Sequence, residues 1–413
     1  MTNNINIVGG AYFEECCYPR RQLFRGSGVR AAVLLNDLGC AIKLNTACGD
    51  FACEFKDLSD HLGFQLSFVP KDKDISFRYQ HPLAIPNIIN IPNQPIIYRE
   101  TIQSELALVF GMLEGRPKVN ANKVVYDPQD GINSTHFSSN GSVANELAIV
   151  VSYSEGKKLS GMNSPEDIAK YLLDQPNVAA VIVKCGALGA IVSTNNASEW
   201  IPLFPTKRVF KIGSGDVFTS TFAYEWLLQG TCPLIAGWIA SRVTAEYVET
   251  GLDRISLSRY MDLKSEALNK RKHHPKHVSH SIPSTQIYLA GPFFNTAEQW
   301  RIDEAKRTLE EMGFTVFSPI HEVGEGDMYD VAQADLKGLE DSDVILAILD
   351  GLDCGTVFEI GYARALKKPV VVIAEHVDSR HLTMICGSDC DVTDDFTAGI
   401  YNAGWKVMNR YYE

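Results

Sequence analysis

A chain of 413 residues is too long for one hydrophobic core, so two domains are expected. Its 45% apolar and 21% charged content is that of a folded soluble protein, and a net charge of -12 argues against a nucleic-acid surface as its main business. Ten cysteines without metal-ligand spacing and an opening MTNNINIVGG without a basic and then apolar leader point to a reducing cytoplasm, and no apolar run approaches the ~20 residues that span a membrane.

In chain order, Ile5 to Val8 reads as a first strand ending at Gly9 and Gly10. GSGVRAAVLLNDLGCAIKLNTACGDF, from Gly26 to Phe51, reads as a glycine-rich turn, a helix, a stop at Gly39, a strand and a Gly-Asp turn. Ser76 to Tyr98 is rich in Pro and Ile and suggests no single element. VNANKVVYDP (119–128) is a strand, SPEDIAKYLLDQ (164–175) a helix capped by Ser164, and AAVIVKCGALGAIVST (179–194) two strands about a glycine turn. Alternating strands and helices imply a largely parallel sheet. In FKIGSGDVFTSTFAYEWLLQG (210–230), Gly213, Ser214 and Gly215 lead into a helix whose first N–H groups suit an anion. Asp216 in that first turn suits either a base for a hydroxyl attacking a phosphoryl group or a plain complement to the helix dipole.

These motifs make residues 5 to about 260 resemble the PfkB (ribokinase-like) carbohydrate and nucleoside kinases, through GSGVRAAVLLNDLG, KCGALGAIV and IGSGD. The resemblance implies a ribokinase-like α/β sandwich using ATP and Mg2+, with Gly213, Ser214 and Gly215 holding the transferred phosphoryl group and Asp216 as base. Glu155, in SYSE, falls in the family's magnesium-associated Asn-x-x-Glu pattern. Departures are present: Ser152 replaces that Asn, Phe210 and Lys211 replace Asp-Thr before the glycines, and the first strand runs into Ala-Tyr-Phe-Glu rather than the substrate-gripping Asp.

KSEALNKRKHHPKHVSHSIPSTQ (264–286) is basic, His-rich and without apolar periodicity, and is expected to be a linker between domains 1–263 and 287–413. Pro275 breaks any helix that would align His273, His274, His277 and His280 on a metal. Beyond it, IYLAG is a strand. Asn295 caps a helix with Trp300, Ala305, Leu309 and Met312 toward the core. FTVFSP is a second strand, with Ser318, Pro319 and His321 at its rim, and Asp330 to Glu340 a second helix. VILAILD follows as a strand buried on both faces, then the helix bearing Glu359, then VVVIA. Cys386 and Cys390 lack the second pair that a zinc site needs. The tail DDFTAGIYNAGWKVMNRYYE reads as a packed aromatic helix.

Asp350, Asp353 and Glu359 crowd the exit of the buried strand, where open α/β sheets bind ligands. Paired carboxylates there suit attack on an anomeric carbon, with turn and N-cap duty as the structural alternative. YLAGPFF (288–294), DLKGLEDSDVILAILDG (335–351) and DCGTVFEIGYA (353–363) resemble the nucleoside 2-deoxyribosyltransferases. That resemblance implies a flavodoxin-like doubly wound parallel sheet needing no cofactor, with Glu359 as nucleophile and Asp353 touching the base or relaying its proton. Asp335 would bind or orient the nucleoside and Tyr288 would orient Glu359; Gly291, Pro292 and Gly355 would lie against substrate. It also implies a homo-oligomer whose sites borrow residues across the interface.

Together these features imply a nucleoside or nucleotide N-glycosidic bond enzyme, either a 2-deoxyribosyltransferase or an N-glycosidase, with a PfkB-like domain acting as kinase or nucleotide sensor. The alternatives are a two-step salvage enzyme combining nucleoside or sugar kinase with deoxyribosyltransferase, and an effector of phage defence that depletes nucleotides or NAD. Substrates are expected to be nucleosides, nucleotides or NAD, without a membrane or nucleic-acid partner.

Overall fold

The computed structural model describes residues 4–129, 134–274 and 285–409. Met1–Phe204 and Phe210–His274 form one compact unit, and Pro205–Val209 with Pro275–Glu413 form a second. No helix of the described residues is long and apolar enough to cross a membrane.

The first unit is built on a nine-stranded sheet in the order Ser198–Ile201, Ala190–Thr194, Val178–Lys184, Val143–Ser152, Val119–Asp127, Ile102–Phe110, Asn4–Val8, Ala41–Cys48 and Gln65–Pro70. Pairing is parallel from Val178–Lys184 to Gln65–Pro70, and the edge hairpin is antiparallel. Apolar side chains on both faces require a layer on each side. Helices Gly26–Asp37, Ser214–Ala223 and Pro233–Thr250 bury Val29, Val217 and Trp238 on one face, and Pro165–Leu173 buries Ile168 and Leu172 on the other. The Pro- and Ile-rich stretch supplies Ser76–Tyr79 and Asn87–Ile89 to a separate four-stranded sheet with Arg21–Arg25 and Tyr12–Cys16.

The stretch read as a linker differs in its first part. Helix Leu257–His273 runs well past Lys264 because Tyr260, Leu263 and Ala267 recur on one buried face, a period that the surrounding basic residues masked. Arg271 ties its end to both carboxylate oxygens of Glu199. His273 bonds back to Asn269 O and His274 packs edge-on against Trp238, while His277 and His280 lie outside the described residues.

The second unit is a five-stranded, wholly parallel sheet in the order Thr315–Phe317, Gln286–Ala290, Val344–Ile348, Val370–Ile373 and Asp391–Thr393. This is the flavodoxin-like, doubly wound order. Helices Met328–Asp341 and Cys354–Ala365 bury Leu339, Ile360 and Ala363 against Tyr288, Ala290, Ile345 and Ala347. Helices Thr296–Glu311 and Phe396–Asn409 serve the other face, where Gly399 meets Ile373 and Gly291 meets Ile302. Trp300 is 44% exposed, contrary to the expected core face, because Ile302, Ala305 and Leu309 define that face and Trp300 lies about 200° round the helix from Ile302. In a doubly wound sheet the carboxyl ends of the strands form the ligand crevice; Tyr288 is the middle residue of its strand, and Glu359 lies on the helix that follows the exit of Val344–Ile348.

Candidate functional site

In the second unit, three of the expected residues come together. Tyr288 lies fully buried in strand Gln286–Ala290, and its hydroxyl donates to Glu359 Oε1 at 2.5 Å. Glu359 stands in the second turn of helix Cys354–Ala365, one residue before buried Ile360, so the helix directs its side chain back over the strands. Burial pushes its carboxyl up to about 7. The Tyr288 hydrogen bond opposes this, and Asp335 and Asp353 add to it. Asp335, from the middle of helix Met328–Asp341, is pushed up by burial, and its Oδ1 is buried without a hydrogen-bond partner among the described residues. Burial and the nearby Glu359 hold the Tyr288 proton on its oxygen. The arrangement is a half-buried carboxyl, poised between its two forms near neutrality and held by one neutral donor. A carboxylate nucleophile needs its anion and a fixed direction of attack, and the Tyr288 hydrogen bond favours both against the effect of burial.

The neighbouring carboxylates are used differently. Asp353 is the N-cap of the Glu359 helix and accepts from Thr356 N at 2.7 Å and Thr356 Oγ1 at 2.9 Å. It also contributes charge to the Glu359 environment. A Cβ on Gly355 would come within 3.0 Å of that Asp353 oxygen, so the cap itself accounts for the glycine. Asp350 accepts from Arg301 at 2.7 Å and from His376 N at 2.7 Å, a tie between a helix and a strand end. Gly291 packs where a Cβ would meet Ile302 at 2.8 Å, and Pro292 is buried beside it. Ser318 and His321 bond to each other at 3.0 Å, and His321 turns to Asp303 at 3.2 Å. Sequence reasoning passed over Phe317, whose ring stacks on Tyr288 with centroids 5.5 Å apart and planes 12° apart.

In the first unit, Gly213 caps helix Ser214–Ala223 with φ of +83°, a conformation that favours glycine, and Asp216 sits in the first turn. Both Asp216 oxygens are engaged. Arg30 donates to Oδ2 at 2.5 Å and Gln129 to Oδ1 at 2.8 Å. Arg30 is 1% exposed and also donates to both oxygens of Glu14. Its guanidinium lies against Gly213, with Cζ only 2.2 Å from where a Cβ there would stand. Glu14 is the acid of the Ala-Tyr-Phe-Glu departure, and Arg30 lies within the GSGVRAAV motif. The departure at Glu14 is therefore paired with an arginine of the glycine motif.

Lys184, from the KCGALG segment, bonds to Asp127 Oδ2 at 2.8 Å, as does Thr219 at 2.6 Å. Burial raises the Asp127 carboxyl to about 6 against the pull of Lys184, and its Oδ1 is buried without a partner among the described residues. Lys184 Nζ comes within 3.4 Å of the Cβ position of Gly215. Ser214 and Gly215 are half-buried beside it. Glu155 closes a capping box: Ser152 N donates to its Oε2 at 2.7 Å, and Glu155 N donates to Ser152 Oγ at 3.3 Å. No group of three metal-ligating side chains occurs among the described residues.

Comparison with known proteins divides the chain in the same way. The family model for nucleoside 2-deoxyribosyltransferase matches residues 287–398, and that for pfkB family carbohydrate kinase matches residues 147–243. A search of curated protein sequences found no match. Among solved structures, fructokinase from Vibrio cholerae O395, bound to fructose, ADP and calcium ion, is 17% identical with a TM-score of 0.51, over 64% of this chain and 98% of that one. A Burkholderia thailandensis nucleoside kinase in complex with inosine is 19% identical with a TM-score of 0.49, over 64% of this chain and 99% of that one. At this identity the fructokinase likeness is one of fold. The chain therefore joins a ribokinase-like domain of the pfkB carbohydrate kinase family to a nucleoside 2-deoxyribosyltransferase family domain.

Proposed function

We propose that the second unit breaks the N-glycosidic bond of a nucleoside or nucleotide, with Glu359 as nucleophile. The observation that carries this reading is the Tyr288 to Glu359 hydrogen bond of 2.5 Å, on a carboxyl that burial raises to about 7. In the first step a Glu359 oxygen bonds to the anomeric carbon while the carbon–nitrogen bond breaks, and its electron pair leaves on the base. Asp353 relays the proton that the departing nitrogen takes up, and Asp335 orients the sugar. A second base then displaces Glu359 to give transfer, or water does so to give hydrolysis. Tyr288 holds Glu359 in its attacking position throughout.

The test is base release from deoxynucleosides, their monophosphates, ribonucleosides and NAD, with and without a free acceptor base, beside Glu359→Ala. Release that disappears in the variant supports the reading and names the sugar. Release that survives in the variant overturns it.

For the first unit, the Arg30 to Asp216 contact favours the reading as a module that holds a nucleotide without phosphoryl transfer. A base must meet the hydroxyl that it deprotonates, and Arg30 takes that place. Gly213, Ser214 and Gly215 with Lys184 would face the phosphates. Glu155, which spends one oxygen on its cap, would hold Mg2+ through the other, and the ion would neutralise phosphate charge. Titration calorimetry with ATP and Mg2+ beside an ADP-formation assay checks this. Binding without turnover is expected, whereas ADP formation that is lost in Asp216→Asn restores the kinase reading.

A further inference from the structure

Gly338 stands inside helix Met328–Asp341, where a glycine costs about 1 kcal/mol relative to alanine unless contacts require it. Its φ is not among the positive ones, so conformational freedom does not account for it. A neighbour does. A Cβ at Gly338 would stand 2.4 Å from both Cε1 and Cζ of Phe317 and 2.7 Å from its Cε2, closer than real contacts come. The ring of Phe317 therefore fills the space that the glycine leaves open. On its other side it stacks on Tyr288, which is also its partner across the parallel strand pair.

Two of the three groups in the Glu359 pocket depend on this seat. Phe317 backs Tyr288, whose hydroxyl reaches Glu359. The helix that presses on Phe317 through Gly338 carries Asp335 one turn earlier. A further tie fixes that helix to the same strand. Ser342 Oγ donates to Gly338 O at 2.8 Å and accepts from Gln286 Nε2 at 3.1 Å, and Gln286 begins the Tyr288 strand.

We propose that Gly338 and Phe317 are positioning residues for the glycosyl-transfer step, one contact that sets both the Tyr288 hydroxyl and Asp335 against Glu359. The proposal rests on the reading of Glu359 as nucleophile. A methyl group at Gly338 must push the ring or the helix aside. The first displaces Tyr288 and the second displaces Asp335.

Gly338→Ala, Phe317→Leu and the double variant test this, with melting temperature as the check on folding. Phe317→Leu removes atoms rather than adding them, so it supplies a folded variant should Gly338→Ala disrupt the helix. Each single variant is expected to lower kcat for base release by roughly ten- to a hundredfold with KM little changed, since the loss is of alignment. The acid limb of kcat should move to higher pH, because a loosened Tyr288 hydrogen bond no longer favours the Glu359 anion. The double variant should be no slower than the slower single, since both break one contact.

The same carboxyl can be followed without substrate. The pH dependence of stability relative to Glu359→Gln reads Glu359 directly, and Phe317→Leu should move its titration upward. Folded single variants with unchanged kcat and an unmoved Glu359 titration overturn the proposal, as do fully additive effects in the double variant. A wild type without Glu359-dependent release overturns the reading beneath it instead, while the substrate-free titration still decides whether Phe317 and Gly338 position the carboxyl.

Discussion

Two acidic side chains near helix starts are handled in opposite ways. In the second unit, Glu359 meets one neutral donor, Tyr288, and burial lifts its carboxyl to about 7. In the first unit, Asp216 meets a buried guanidinium on one oxygen and the Gln129 amide on the other. A carboxylate that must attack needs its anion and an oxygen free to reach the substrate. Asp216 has both oxygens engaged, one of them by a cation. Family motifs mark both positions, so the partner rather than the residue type tells them apart.

The sharpest break of this contrast comes from removing each acid. Glu359→Ala should slow base release by roughly 10⁴-fold or more, as losing a nucleophile does. Asp216→Asn should leave that release unchanged. A first-unit variant that abolished release, measured by chromatography, would show that the two acids do not act separately.

Next in size is Arg30→Met. It leaves Glu14 and Asp216 facing each other without the cation that both use, and uncompensated buried charge of this kind costs on the order of 3–5 kcal/mol. Denaturant melts should show that loss, and the triple variant with Glu14→Gln and Asp216→Asn should recover much of it. A single variant as stable as wild type would mean that Arg30 is not the lock described here.

Glu359→Gln sharpens the other side. The native carboxyl titrates near 7 and the unfolded one near 4.5, so across that window the native state keeps a proton that the unfolded chain has lost. Stability of the wild type must then fall as pH rises from about 4.5 to about 7, and glutamine does not titrate. Relative to the variant, the wild type should lose roughly 3 kcal/mol over that range, at ~1.4 kcal/mol per unit. Base release should run the opposite way and rise through the same window, because the attacking form is the anion.

Much of the second unit was legible because its strands are short apolar runs and its helices carry caps that can be read: Asn295, Asp353 and the 3.6-residue period to Leu309. The three carboxylates near the strand exit could not be sorted from spacing. Asp350 binds Arg301 and Glu359 meets Tyr288, partners far off in sequence, while Asp353 caps its own helix through Thr356, which is local. In the first unit, Ala-Tyr-Phe-Glu reads as a departure from the kinase pattern and GSGVRAAV as a match to it, with nothing in the sequence to join them. Only the fold brings Glu14 and Arg30 together over Asp216. Helix Leu257–His273 was hidden by its charge, since three buried positions among many basic ones leave a weak period.

The smallest expected effect concerns Ser152, which stands where the kinase pattern has Asn. The exchange keeps a helix cap, because Ser152 Oγ accepts from Glu155 N while Glu155 reaches back to Ser152 N. Ser152→Ala removes half of that box and should cost about 1 kcal/mol in the first unit. The informative part is what happens to Mg2+ and ATP. If Glu155 meets the cation through the oxygen that its cap leaves over, the remaining bond from Ser152 N still aims the carboxylate, and affinity for the ATP complex should change less than stability does. If affinity instead rises in Ser152→Ala, cap and cation compete for one carboxylate. Glu155 would then be held away from its ligand much as Asp216 is held by Arg30, and both acids of the first unit would be tied into the structure, leaving Glu359 as the one poised to react.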